Sequence, residues 1–347
     1  MRIFKNIVAV STLLALIVAC NQVDADADAP EVAKSNAEQT AKVETPKLTN
    51  YGNEWITLGT IAGPIPSPVY SQPANALVVG DNIYIVDAGD GTIGQLTKAG
   101  ESMRKINAVF LSHLHFDHTA GLAGIIALRW QTNAPNMLTI YGPPGTKKTV
   151  DGLFAFMQHS TEGHFGVPGQ KTAPPNRNVQ VIEISDGSVI ELDDFKFTSI
   201  RNTHFSWPKD SEEWEKFQAL SFKFELADRT IVYTGDTGPS EAVVDLAKGA
   251  DLYISEMMDA DPIVDRIKAL NPKMPEVAVI NMKKHITDHH VNTEQVADMA
   301  TRAGVKRVVI THMSPRDLGP EKMADYVEQV KAGYDGDVVM ADDLDRF

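Results

Sequence analysis

The stretch Leu111-Ser-His-Leu-His-Phe-Asp-His-Thr-Ala-Gly121 constrains this chain more than any other, because it sets four potential metal ligands within six residues: His113, His115, Asp117 and His118. It follows a short apolar run, Ala108-Val-Phe-Leu111, that reads as a strand. In an extended segment alternate side chains share a face, so His113 and His115 can grip one ion. Asp117 and His118 come after the turn and can reach a second. Imidazole and carboxylate without thiolate suit zinc first, with iron or manganese as alternatives. Cys20 is the single cysteine of the chain, so no internal disulfide forms and no other thiolate is on hand for a metal.

The order His-x-His-x-Asp-His resembles the signature of the metallo-β-lactamase superfamily, and the resemblance runs over most of residues 54 to 347. It implies an α/β fold, a four-layered αβ/βα sandwich with two divalent metal ions, zinc first, in a cleft at one edge. Carried over residue by residue, it implies that His113, His115 and His204 bind one ion, that Asp117, His118 and His312 bind the other, and that Asp236 bridges them. The last three ligands each follow a predicted strand: Phe195–Ile200, Thr230–Thr234 and Val305–Thr311. Open α/β sheets place their sites at such carboxyl ends.

The termini bear on location. Arg2 and Lys5 precede an apolar run from Ile7 to Ala19, too short to span a bilayer but suited to a secretory signal. The run ends Leu16-Ile-Val-Ala-Cys20, which resembles a bacterial lipobox and implies lipidation of Cys20, export and a place on the periplasmic face of a membrane, which the protein touches only through that anchor. Residues 21 to 50 hold few large apolar side chains and read as a disordered tether; residues 51 to 347 form the hydrolase domain. The formal charge is −14, and loss of the signal would make the chain more negative still. With no basic cluster to neutralise phosphates, composition points to a small-molecule substrate and away from nucleic acid.

From Trp55 onward, short apolar runs alternate with Gly and Pro, and strands are predicted at Trp55–Leu58, Asn75–Val79, Asn82–Asp87 and Leu138–Tyr141. Asp87, in the turn after one of them, is either a turn former or a support for the ligand loop. Helices are predicted from Thr119 to Trp130 and from Thr293 to Ala303, the latter with Asn292 and Gln295 at near capping-box spacing. The Gly- and Pro-rich run from His159 to Asn178 reads as a long loop, and His164 and Phe165 either line the cleft or sit on a surface loop. Phe205, Trp207 and Trp214 form either an aromatic wall beside the third ligand or part of the core.

Two ions held a few ångströms apart clamp and acidify a shared hydroxide, so the protein needs no nucleophilic side chain. Asp117 can orient that hydroxide and take its proton. The segment His290-Val-Asn-Thr-Glu-Gln-Val-Ala297, with Gly304 to His312, most resembles the branch of zinc-dependent arylsulfatases and tRNA 3′-processing endonucleases. That resemblance makes His290 the proton donor or oxyanion stabiliser; His285 and His289 receive no role. The expected activity is arylsulfatase-like hydrolysis of a small sulfate or phosphate ester. The alternatives are a lactonase or β-lactamase-type hydrolase, a ribonuclease Z-like phosphodiesterase, and a metal-binding lipoprotein without activity.

Overall fold

The computed structural model describes residues 52–347. The expectations for residues 1–20, the tether 21–50 and Cys20 lie outside the described residues. Among those described, no helix is long and apolar enough to cross a membrane.

The alternating apolar runs fold into two mixed sheets. The first is six-stranded, in the order β1 (Asn53–Gly59), β2 (Ala74–Val79), β3 (Asn82–Ala88), β4 (Ile106–Phe110), β5 (Leu138–Gly142), β6 (Val179–Glu183). The second is seven-stranded and runs from β13 (Asp337–Met340) through β12 (Arg307–Ser314), β11 (Leu252–Met258), β10 (Thr230–Tyr233), β9 (Leu220–Glu225) and β8 (Lys196–Arg201) to β7 (Val189–Glu191). In both sheets antiparallel pairing at one side gives way to parallel pairing at the other. The helices are α1 (Thr92–Lys98), α2 (Phe116–Thr119), α3 (Leu122–Gln131), α4 (Thr146–Glu162), α5 (Glu212–Lys216), α6 (Glu241–Leu246), α7 (Ala260–Leu270), α8 (Glu276–His289), α9 (Thr293–Ala303) and α10 (Pro320–Lys331).

Period-two burial explains the layering. Along β3, Tyr84 and Val86 enter one core while Ile83 and Ile85 enter another. The first of these cores lies between the sheets and is rich in aromatics: Phe110 stacks on Tyr141 with centroids 4.9 Å apart and lies 4.6 Å from Phe197 and 5.6 Å from Phe224. Ile83 and Ile85 instead meet Leu122, Ile125 and Ile126 of α3 and Val150 of α4. On the far side α6, α9 and α10 cover the second sheet through Val243, Val296, Ala300 and Tyr326. Helix, sheet, sheet, helix is the four-layered α/β sandwich expected. The predicted helix Thr293–Ala303 has those bounds and a complete capping box between Asn292 and Gln295.

Three expectations need correction. The helix predicted from Thr119 is two pieces, α2 and α3, because the chain turns at Ala120–Gly121. The loop predicted from His159 begins only after α4 ends at Glu162, and His164 and Phe165 do not reach the cleft. His164 Nδ1 bonds Thr172 (2.8 Å), and Phe165 packs on Trp130 (5.8 Å), where it lines a separate cavity beside α3. His312 lies inside β12 rather than after it.

Candidate metal centre

All the predicted ligands converge at one edge of the sandwich. The ligand loop leaves β4, and the carbonyl of Ser112 accepts from Leu220 N, tying the loop to the second sheet (2.9 Å). Asp236 leaves β10 behind Gly235, whose φ is +58; a Cβ there would stand 2.9 Å from Ser112 Cβ and from the Leu220 carbonyl, so only glycine fits.

Two site residues stand at β-bulges. Between the pairs Ser255↔Ile310 and Met257↔Met313 the β11–β12 register slips, leaving Glu256 opposite Thr311 and His312, and His312 has φ +41. Between Ala74↔Ala88 and Asn75↔Val86 the β2–β3 register slips around Asp87, with φ +58. A bulge turns a side chain away from the alternation of its strand, and positive φ at non-glycine residues is tolerated where the surroundings over-determine it. Here both bulges aim polar groups at the ligand loop.

The donor atoms form two groups. His113, His115 and His204 gather with Asp236, and Asp117, His118 and His312 form the second set. Within the first, His115 Nδ1 is 3.0 Å from His113 Nε2 and 3.2 Å from His204 Nε2; within the second, His118 Nε2 and His312 Nε2 are 3.1 Å apart. A tetrahedral ion with metal–nitrogen bonds of about 2.0–2.1 Å separates its ligand nitrogens by about 3.3–3.4 Å. The observed spacings are close to that. Asp236 divides its oxygens: Oδ1 is 3.2 Å from both His118 Nε2 and His312 Nε2, while Oδ2 lies 3.7 Å from His113 Nε2 and 3.9 Å from His204 Nε2. Oδ1 is buried without a hydrogen-bond partner, as befits a carboxylate oxygen that serves as a metal ligand. The donor set therefore fits two divalent ions.

The electrostatics agree. Burial holds His113 and His204 well below the ordinary histidine range, so they offer neutral lone pairs. Burial also opposes charge on His118 and His312, yet Asp236 and Asp117 overcome it and push His312 up to about 10. Asp117, against its own burial, is held down at about 2 by His118 and His312. The carboxylates thus demand positive charge between the rings.

The far sides of the His118 and His204 rings are also committed. His118 Nδ1 donates to Asp87 Oδ2 (2.8 Å), and Asp87 further accepts from Ser112 N, Ser112 Oγ and Tyr233 OH, each at 2.7 Å. His204 Nδ1 donates to the His289 carbonyl (3.1 Å). Such bonds fix the tautomer that leaves Nε2 free. Of the two readings of Asp87, support for the ligand loop is the one these bonds describe. Asp117 Oδ2 accepts from Gly63 N (3.1 Å).

His290 caps the C-terminus of α8, is buried, and lines the ligand cavity with His204 and His312. Its Nδ1 is 2.7 Å from Glu256 Oε2. Burial disfavours the imidazolium, but Glu256 reverses this and holds His290 above its ordinary value. Glu256, which also accepts from Thr237 N, was missed in the sequence. Its signal was there: a lone acid in the apolar strand Leu-Tyr-Ile-Ser-Glu-Met-Met, where burial demands a partner. Of the supposed aromatic wall only Phe205 meets the ligands, 4.9 Å from the His204 ring and 5.4 Å from His115. Trp207 faces Phe217, and Trp214 lies under Arg201.

Fold and site together define a metal-dependent hydrolase. The beta-lactamase superfamily domain matches residues 82–313, and the chain belongs to the metallo-β-lactamase superfamily, on its ribonuclease Z-like branch. It is 30% identical to the ribonuclease Z of Mycolicibacterium gilvum (strain PYR-GCK) over 294 residues, 84% of this chain and 94% of the relative. It is also 30% identical to that of Mycobacterium marinum (strain ATCC BAA-535 / M) over 263 residues, 75% and 86% of the two chains. Among solved structures, the metallo-β-lactamase fold protein YhfI of Bacillus subtilis shares the fold at TM-score 0.59 and 19% identity, covering 85% of this chain and 99% of its own. The short form of human tRNase Z does so at 0.58 and 21%, covering 85% and 98%.

These relatives overturn one expectation. Nucleic acid was set aside on net charge and the lack of a basic cluster, but proteins named for acting on it match over 84% of this chain and 94% of their own length. The error is physical. Net charge sums the whole surface, whereas a phosphate at a site of this kind answers to the local field of bound cations and nearby donors.

Proposed function

We propose that this protein is a metal-dependent phosphodiesterase that hydrolyses RNA in the manner of a ribonuclease Z, with two divalent ions, zinc first, as cofactors. The observation that carries the metal chemistry is Asp236, whose two oxygens are divided between two groups of ligand nitrogens. The likeness to ribonuclease Z sequences supports the phosphodiester over the small sulfate ester of the arylsulfatase-like reading.

The ions, when bound, would supply Lewis acidity and an acidified water. His113, His115 and His204 would hold one, His118, His312 and Asp117 the other, and Asp236 both. Asp117 Oδ2, 3.6 Å from His118 Nε2 and from His312 Nε2, stands where it can orient the attacking water and accept its proton. His290 has its charge stabilised by Glu256 and faces the same cavity. It can deliver a proton to the departing alkoxide, a poor leaving group that needs one.

Zinc-reconstituted protein should cleave bis(p-nitrophenyl) phosphate and a structured RNA, and activity should vanish on chelation and return with metal. Cleavage of p-nitrophenyl sulfate with no turnover of either phosphodiester would reverse the preference in favour of the arylsulfatase-like reading.

A further inference from the structure

The cavity that opens on the ligand atoms has two unlike walls. One carries the ligand histidines and aspartates with His290, while His285 of α8 stands on the other. The other comes from α7 and α8, where Ile263 and Ile267 share one helix face and Met282 and Ile286 share another, each pair four residues apart. These residues pack together with Met258 into a small apolar cluster of their own. The cavity volume of about 460 Å³ falls within the range of about 300–1,000 Å³ found for small-molecule sites, enough for one nucleoside and its phosphate.

Phe116 lines the same cavity, is 85% exposed, and stands in sequence between the ligands His115 and Asp117. Away from the ligands the lining offers no carboxylate, and its two arginines are engaged, Arg266 with Asp317 and Arg316 with Asp342. A sugar would lose its hydroxyl hydrogen bonds against such a wall. A flat, uncharged ring would keep dispersion contact on both faces.

We propose that this chamber is a subsite for one nucleobase of the substrate, stacked against Phe116 and inserted toward Ile267 and Met282, so that the nucleotide beside the scissile phosphate is splayed out of its stack. The inference rests on the phosphodiester reading and adds to it a defined place for a base. Recognition is by stacking and burial, and so tolerates base identity.

The test uses zinc-loaded full-length protein and three p-nitrophenyl diesters, those of thymidine 5′-phosphate, methyl phosphate and hexyl phosphate. The thymidine ester should exceed the methyl ester by about 5- to 150-fold in kcat/KM, the range that stacking of one base supplies. Phe116→Ala should remove most of that ratio and Phe116→Tyr should keep it. The ratio cancels any general damage to the neighbouring ligands. Adenosine should bind metal-free protein in calorimetry, and Phe116→Ala, checked for folding by circular dichroism, should abolish that binding.

A ratio near one, an equal loss on both esters in Phe116→Ala, or a hexyl ester as good as the thymidine ester would each overturn the base assignment. If no diester is hydrolysed, the phosphodiesterase reading fails, and the adenosine titration still decides the subsite: binding that depends on Phe116 upholds it, and no binding overturns it.

Discussion

Asp87→Asn isolates proton bookkeeping from shape. Asparagine has the size of aspartate and is among the few residues that accept positive φ, so the bulge at φ +58 should survive. What changes is the pattern of donors. Asp87 Oδ1 accepts from the backbone N–H of Ser112, a donor that cannot reverse, so the amide oxygen must take that place and the amide nitrogen must occupy the Oδ2 position. That position faces Ser112 Oγ, Tyr233 OH and His118 Nδ1. The two hydroxyls can turn and accept. His118 can accept only by moving its proton to Nε2, the atom needed for the metal. Loss of such an orienting partner costs about 10- to 100-fold in metal affinity, or about 1.4–2.7 kcal/mol. Asp87→Asn should therefore hold its first equivalent of zinc normally and its second that much more weakly, measured by chelator competition, with activity recovering at excess zinc. If both equivalents bind as in wild type, the tautomer argument is wrong.

Wild-type protein should hold two equivalents of zinc and Asp236→Ala at most one by elemental analysis; two tightly held equivalents in the variant would remove the bridge. His290→Ala should slow aryl diesters with high leaving-group pKa by about 10²–10⁴, and nitrophenyl esters much less; a loss that is uniform across the series would leave His290 a positioning residue. Burial, with His290 and His289 nearby, holds His285 down at about 4, against about 6.5 when unfolded. The unfolded chain then binds the extra proton between these values, so metal-free protein should lose stability as pH falls from about 6.5 to 4, and His285→Gln should flatten the slope of Tm against pH there; an unchanged slope would refute that contribution. Lipidation at Cys20, proposed from the lipobox, should place wild-type protein in the membrane fraction and Cys20→Ser outside it; a soluble wild type would end the anchor proposal.

The ligand set was legible in the sequence because it is written in residue types that have few other reasons to cluster. Three histidines and an aspartate in six residues marked the ligand loop by themselves, and the resemblance to the metallo-β-lactamase superfamily then implied His204, Asp236 and His312, each at or near the end of a predicted strand. The support of those ligands was harder to read, since a bulge has no local signature. Nothing in Ser-Glu-Met or Thr-His-Met announces that one strand gains a residue against the other; the slip is a property of pairing and appears only with both strands in place. Hence Asp87 stayed ambiguous, and Glu256, though visible as a lone acid in an apolar strand, had no partner in sight. Length and hydrophobic pattern hid α7 and α8 for a different reason. Their apolar residues face a cavity and a small cluster rather than a main core, the helical stripe is weak in α8, and neither helix was predicted.

The misreading of nucleic acid has the same root as the missed bulges. A summed property, charge over the whole chain, stood in for a local one. A phosphodiester at this edge of the sandwich would answer to the local field, and the carboxylates that make the chain acidic are, at Asp117 and Asp236, the groups that would gather cations to meet a phosphate. Acidity at such a site is what recruits positive charge, so the sign of the total carries little about the sign the substrate meets.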